Sequence, residues 1–313
     1  MTHWLPIQFI NINQQMVVHV IDPESLDLSF GFFKEALAQR SFSHRSSKLL
    51  PLRHWLNTQA TDSTTAHTIA MIFHTARCGS TLLCQNLKAT QKFIVLGEPA
   101  FLSQIYQSSL LSTTQQSLIA QKTLREWRHW AATQNKQLTI KLPSRLLTQS
   151  KQLLADFPNS KAIFLYREPI ATLESFMRKT PHYLRQNTAP INHPLIAPFK
   201  NTYHTTLLSA ATHYLTLIQS IPKTPQPHFL RINYENLAQR FDELFCFFYP
   251  DVNIHALHWS ATWYAKNQSG KQQRYQPIDP VQLQTFYTNH SDLLNLLIQA
   301  YDQLQAQIKE TNA

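Results

Sequence analysis

Five short runs of nearly unbroken apolar character punctuate the chain: TIAMIFH (68–74), KFIVLGEP (92–99), QLTIKLP (137–143), KAIFLYR (161–167) and HFLRINY (228–234). Runs of this length without polar alternation mark strands buried on both faces. Apolar residues at helical spacing follow them, in STLLCQNLKA (80–89), 100–132, from Pro143 to about Ala155, 169–178 and ENLAQRFDELFCFFY (235–249). A further helix is predicted at about 200–220, and the tail from Pro280 is amphipathic. In front of the first run, LPIQFININQQMVVHVID (5–22) predicts two short strands and 29–39 a helix. Residues 41–66 are polar and hydroxyl-rich and predict loops around the apolar KLLPLRHWL, while four prolines in 181–199 predict a surface loop or lid. Strands alternating with helices imply a three-layer α/β fold with a mostly parallel central sheet. The expected division is an N-terminal segment, 1–66, packed on a main domain, 67–313.

Open α/β sheets bind ligands at the carboxyl ends of their strands. The chemistry is therefore expected just after His74, Leu142, Tyr166 and Asn233. The first of these places reads FHTARCGSTLL (73–83): a buried strand, a turn holding Arg77, Cys78 and Gly79, and a helix opening with Ser80, Thr81 and Leu82. Backbone N–H groups at a helix start, two hydroxyls and an arginine make an anion cradle. Gly79 allows close backbone approach, and Arg77 can grip two oxygens at once. The loop is not of the GxxxxGK(S/T) type, because His74 stands at the first glycine position and Ser80 at the lysine position.

The second place is YREPIATLESFMRK (166–179), where Arg167 ends a strand and Ser175 lies eight residues on, in the next helix. The two can converge on one anion, or Arg167 can pair with Glu168 or Glu174. Glu98 follows Gly97 in VLGEP, where the turn lifts its carboxylate into the cleft; there it can act as a base or support the dipole of the next helix. Lys141 ends TIKLP, either reaching the site or extending its ammonium toward water.

Taken together and in order, these segments resemble the PAPS-dependent sulfotransferases. The R-x-G-S/T-T-L pattern after a buried strand is similar to the 5′-phosphosulfate loop of that family, with Cys78 in place of the more usual serine. Arg167 and Ser175 resemble its 3′-phosphate site, and the surrounding stretch is particularly similar to protein-tyrosine sulfotransferases. The resemblance implies a P-loop-like sulfotransferase fold, 3′-phosphoadenosine-5′-phosphosulfate (PAPS) as donor, no metal, and direct in-line transfer to an unidentified acceptor. It further implies Glu98 as base and Lys141 and Arg77 as the cations stabilising the transferring group. Tyr234 in LRINYENL would lie near the 3′-phosphate, or simply pack in the core. Gly270 and Lys271, with Lys266 or Arg274, would close over the donor from YAKNQSGKQQRYQPIDP, unless that basic loop is only solvated.

Composition narrows the alternatives. Lys and Arg number 28 against 18 Asp and Glu, a net charge of +10, which favours polyanionic partners without selecting one. A kinase for a small hydroxyl compound would need ATP and Mg²⁺, and the missing loop lysine counts against it. A non-catalytic nucleotide- or RNA-binding protein on the same fold would show binding without turnover. No RNP-type motif and no dense basic run supports RNA, so no nucleic-acid partner is expected. Three cysteines without metal or disulfide spacing, no apolar run long enough to span a bilayer, and no leader-like start lead to the expectation of a reducing, cytoplasmic location.

Overall fold

The computed structural model describes residues 4–39, 46–58, 68–181, 184, 193–223, 228–250, 259–260 and 278–310. The two N-terminal strands form as the pattern predicts, β1 (Leu5–Ile12) antiparallel to β2 (Gln15–Ile21), joined through Asn13 and Gln14, both at positive φ. Helix α1 (Phe33–Ala38) is shorter than the 29–39 expected. The apolar KLLPLRHWL itself forms β3 (Ser47–Pro51), antiparallel to β2, and α2 (Leu52–Asn57), while most of the loop residues expected around it lie outside the described residues. Leu49 of β3 is exposed, and the edge of β2 supplies the strand's partner groups. Trp55 of α2 is buried edge-on against Phe9, at 5.8 Å between ring centroids.

The five apolar runs become β4 (Ala70–His74), β5 (Phe93–Gly97), β6 (Gln137–Lys141), β7 (Lys161–Tyr166) and β8 (Phe229–Asn233). They make one sheet in the order β5-β6-β4-β7-β8, parallel at every pairing. Alternate residues feed two separate cores. Met71, Phe73, Ile94, Leu96, Ile140 and Phe164 face one way; Ala70, Ile72, Phe93, Val95, Ile163 and Leu165 face the other. Both faces are covered, which is why the strands read as continuous apolar runs.

The first face is covered by α4 (Ala100–Tyr106), α5 (Thr113–Thr133), α8 (Thr205–Gln219) and α11 (Ser291–Glu310). The second is covered by α3 (Ser80–Ala89) and α9 (Phe241–Phe248). Helices α6 (Ser150–Asp156) and α7 (Pro169–Arg178) flank β7, and α10 (Pro280–Asn289) precedes α11. The architecture is a three-layer α/β fold with a parallel sheet. The small N-terminal sheet shares the first core, and Trp127 of α5 donates from Nε1 to the Pro6 carbonyl at 2.9 Å. Among the described residues, no helix is long and apolar enough to cross a membrane.

Strand β4 is central, and the chain leaves it in one direction to β5 and β6 before crossing to β7 on its other side. The loop after β4 therefore sits at the point where the strand order reverses, the usual place for a ligand crevice in such sheets.

Candidate functional site

The loop between β4 and α3 is built from strained backbone. Ala76 and Arg77 have φ of 61° and 51°, and Gly79, the N-cap of α3, has φ of 79°. Non-glycine residues in this region cost about 1–3 kcal/mol each and persist only where the surroundings impose them. Here the surroundings are explicit. Thr75 N–H donates to the Leu165 carbonyl of β7 at 3.1 Å, and Ala76 N–H donates to His74 Nδ1 at 3.1 Å. Gly79 meets a second constraint besides its φ: a Cβ there would stand 2.5 Å from two ring carbons of Tyr234. Ser80, Thr81 and Leu82 open α3, and a helix leaves the N–H groups of its first turn without intrahelical acceptors. Cys78 is fully buried, with its thiol directed at the Leu165 carbonyl at 3.3 Å. Only its main chain can serve the cradle, and burial raises the thiol pKa.

Arg167, just beyond β7, converges on this loop. Its Nη1 donates to the Arg77 carbonyl at 3.5 Å, its guanidinium lies 4.4 Å from the centroid of the Tyr234 ring, and its Nε is 4.0 Å from Glu235 Oε1. That Nε is buried and has no hydrogen-bond acceptor among the described residues. The Tyr214 hydroxyl donates to the Arg167 carbonyl at 2.9 Å and fixes the main chain. Neither Glu168 nor Glu174 pairs with Arg167: Glu168 caps α7, accepting from Ile170 and Ala171 N–H at 2.7 Å, and Glu174 faces Arg178 at 3.8 Å. Ser175 is half-buried on α7 and makes no hydrogen bond to Arg167. Arg77 turns toward the end of α7, donating from Nη2 to the Lys179 carbonyl with the Phe176 ring 5.8 Å away. Gly270, Lys271, Lys266 and Arg274 lie outside the described residues.

The register of β5 on β6 brings the other two predicted residues together. Gly97 is the partner of Lys141, and Glu98 N–H donates to the Lys141 carbonyl at 2.7 Å. Glu98 itself has φ of 52°. Lys141 is 1% exposed; its Nζ lies 2.7 Å from Glu98 Oε1 and donates to Thr81 Oγ1 at 3.0 Å. Burial alone would raise the Glu98 carboxyl, but Lys141 and then His74 overcome this and hold it well below the usual carboxylate range. His74 lies 3.5 Å from Glu98 through Nε2. Burial lowers the His74 pKa despite Glu98. Since Nδ1 accepts from Ala76, the proton of the neutral ring is on Nε2 and faces Glu98.

Three contributors carry no sequence motif. His74 is visible in the sequence only as an intruder at a glycine position. The second is residues 29–32, which cross α3 and the end of β5. Gln85 Nε2 donates to the Ser29 carbonyl at 3.4 Å, Lys88 Nζ donates to the Phe30 carbonyl, and the Phe32 ring covers Lys141 Nζ at 4.5 Å. A Cβ on Gly97 would meet the Gly31 carbonyl oxygen at 2.1 Å, so the missing side chain of Gly97 is what lets these backbones touch. The scarcity of glycine was the available signal.

The third is His213 of α8, whose Nε2 is 3.4 Å from Ser144 Oγ and whose pKa is pushed down to about 4 by burial and then by His74. The folded-state pKa lies below the ordinary 6.5. The unfolded chain therefore binds more protons between these values, and stability falls as pH drops through that window. His213→Asn is expected to flatten this fall by on the order of 2 kcal/mol, allowing for partial exposure. Urea unfolding at a series of pH values checks it; a fall as steep as in the parent protein would contradict it.

No protein-family model matches the chain, and no curated protein matches it. Solved structures do. The sulfotransferase domain of the Synechococcus PCC 7002 olefin synthase is 16% identical over 76% of this chain and 97% of that one, with a TM-score of 0.42. The sulfotransferase domain of the curacin biosynthetic pathway is 16% identical over 72% and 98%, with a TM-score of 0.36. A sulfotransferase from Alicyclobacillus acidocaldarius is 13% identical over 75% and 96%, with a TM-score of 0.35. At such identities and scores these likenesses assign neither donor nor reaction, and the parallel sheet stands on this chain's own strand order and register. All three of these solved structures are sulfotransferases or sulfotransferase domains.

Proposed function

We propose that the chain is a sulfotransferase that moves a sulfuryl group from PAPS to a hydroxyl or amine by direct in-line displacement. The observation that carries this reading is Lys141. It is a fully buried ammonium held between a carboxylate at 2.7 Å and the Thr81 hydroxyl at 3.0 Å, beside a helix start shaped for an anion. The residues suit a doubly phosphorylated adenosine. The first turn of α3 offers N–H groups to the 5′ side, and the acceptor-less Nε of Arg167 fits the 3′ side, with the Tyr234 ring packed beneath its guanidinium.

On this reading each residue has a task that the donor's charge makes useful. Arg77 and the N–H groups of Ser80, Thr81 and Leu82 hold the 5′ phosphosulfate. Paired as it stands, Glu98 is a weak base, because its carboxyl is held so low. When Lys141 turns to the charge developing on the bridging oxygen, Glu98 loses its main counter-charge and becomes more basic. It then takes the acceptor proton while His74 Nε2–H keeps it in place. A new O–S or N–S bond forms, the S–O bond to the 5′-phosphate breaks, and 3′-phosphoadenosine-5′-phosphate departs with the electron pair. Preorganised cations of this kind supply a large part of the rate in reactions that develop negative charge.

The test is transfer of radiolabelled sulfate from PAPS to a panel of phenols, alcohols, sugars and amines, without metal. Transfer to at least one class is expected, with Glu98→Gln lowering kcat by about 10²–10⁴-fold and leaving donor affinity within a factor of a few. Equal rates in Glu98→Gln would remove the base assignment, and no transfer to any class would count against the reading as a whole.

A further inference from the structure

A second cavity opens at the other end of the sheet, at the amino ends of β4 and β7, with a volume of about 200 Å³. Five residues of β4 separate it from the anion loop, a distance of roughly 17 Å. Its wall includes Arg125 and Arg128 of α5, Thr68 before β4, Asp156 at the end of α6 and Ser160 just before β7. The two arginines are three residues apart and so lie on one helix face.

Among the described residues, neither arginine forms an ion pair. Arg128 Nε and Ser160 Oγ are buried and make no hydrogen bond, and Ser160 is only 3% exposed. The carboxylate on the wall, Asp156, is engaged elsewhere: its Oδ2 accepts from the Tyr106 hydroxyl at 2.7 Å. Burial, and then the neighbouring Arg125 cation, lower the Arg128 pKa. Two adjacent like charges and a buried hydroxyl without a partner are each unfavourable. An oxyanion that accepts from both guanidiniums and from Ser160 relieves both.

We propose that this cavity binds a phosphoryl or sulfuryl group, with Arg125 and Arg128 as its cationic contacts and Ser160 as a hydroxyl donor. Sites for drug-sized ligands occupy about 300–1,000 Å³. The smaller volume here suits inorganic phosphate or sulfate, or the anionic end of a phosphate or sulfate monoester. The site is separate from the donor cleft and does not depend on the reaction proposed there.

The test is calorimetric titration with inorganic phosphate and, in parallel, glycerol phosphate at constant ionic strength. It is done in an Arg77→Ala/Arg167→Ala background, which weakens anion binding in the main cleft. Binding of at least one of the two anions is expected to persist there. Adding Arg125→Gln and Arg128→Gln should weaken it at least about tenfold, the value of one lost charge-assisted hydrogen bond. Arg125 is exposed, so Arg125→Gln alone in the otherwise unaltered protein is a second variant free of folding concerns. It should reduce the thermal stabilisation given by phosphate. Phosphate alone binding would mark a free-anion site, and the monoester binding more tightly would mark a site for an esterified group. Binding unaffected by the Arg125 and Arg128 substitutions, or no binding of either anion in the background variant, would overturn the proposal.

Discussion

Lys141→Met is expected to reduce sulfuryl transfer by at least about 10³-fold and to destabilise the protein by about 3 kcal/mol. The two effects have different origins. Methionine has nearly the shape of the lysine stem, so packing is retained while the ammonium is lost. Loss of one well-placed donor to a developing oxyanion already costs about 10²–10³, and here the donor carries a full charge. The stability loss comes from Glu98, which keeps its buried carboxylate but loses the partner 2.7 Å away. Breaking a buried pair costs about 3–5 kcal/mol, and the lower end applies because the Glu98 side chain is 29% exposed. The double variant Lys141→Met/Glu98→Gln should recover most of the stability and none of the activity. Chemical unfolding and single-turnover transfer measure the two quantities. A single variant as stable as the parent would contradict the pairing, and near-normal transfer would contradict the role of the ammonium.

Gly79→Ala is expected to weaken nucleotide binding more than tenfold and to cost about 2 kcal/mol of stability. The residue faces two demands that reinforce each other. Its φ of 79° is disfavoured for alanine, and the new Cβ would stand 2.5 Å from Tyr234 Cδ2 and Cε2. The Tyr234 ring cannot yield freely, because the Arg167 guanidinium is packed on it at 4.4 Å. Relief of the clash therefore shifts Arg167 as well as the loop. In a Tyr234→Leu background the same alanine should cost distinctly less, leaving mainly the backbone term. Equal costs in the two backgrounds would show that the ring contact is unimportant.

The sheet was legible because burial on both faces leaves mostly apolar residues, without polar alternation, in β4 to β8. The α3 start and the Gly79 turn were legible because a tight strand-to-helix turn at positive φ needs particular residue types. The meeting of Glu98 with Lys141 follows from two strand ends falling side by side in the β5–β6 register. That neighbour relation depends on strand order, which local sequence does not encode. β3 escaped because its register comes from β2 and its Leu49 faces water. Phe32 escaped because residues 29–32 are held by the close approach of Gly31 and Gly97, not by any periodicity. His74 and His213 are single residues whose burial sets their protonation, and burial belongs to the tertiary fold. Cys78 stands where the resembling family has a hydroxyl, but its side chain lies in the core. The substitution leaves the main-chain part of the cradle unchanged.

The central claim is that the loop and Arg167 together hold a 3′-phosphorylated adenine nucleotide. Calorimetric titration with 3′-phosphoadenosine-5′-phosphate, without metal and beside ATP with Mg²⁺, tests it most directly. The account predicts metal-independent binding that requires the 3′-phosphate and weakens by at least about 30-fold in Arg167→Ala. A preference for ATP with Mg²⁺, affinity unchanged in Arg167→Ala, or no nucleotide binding at all would contradict it.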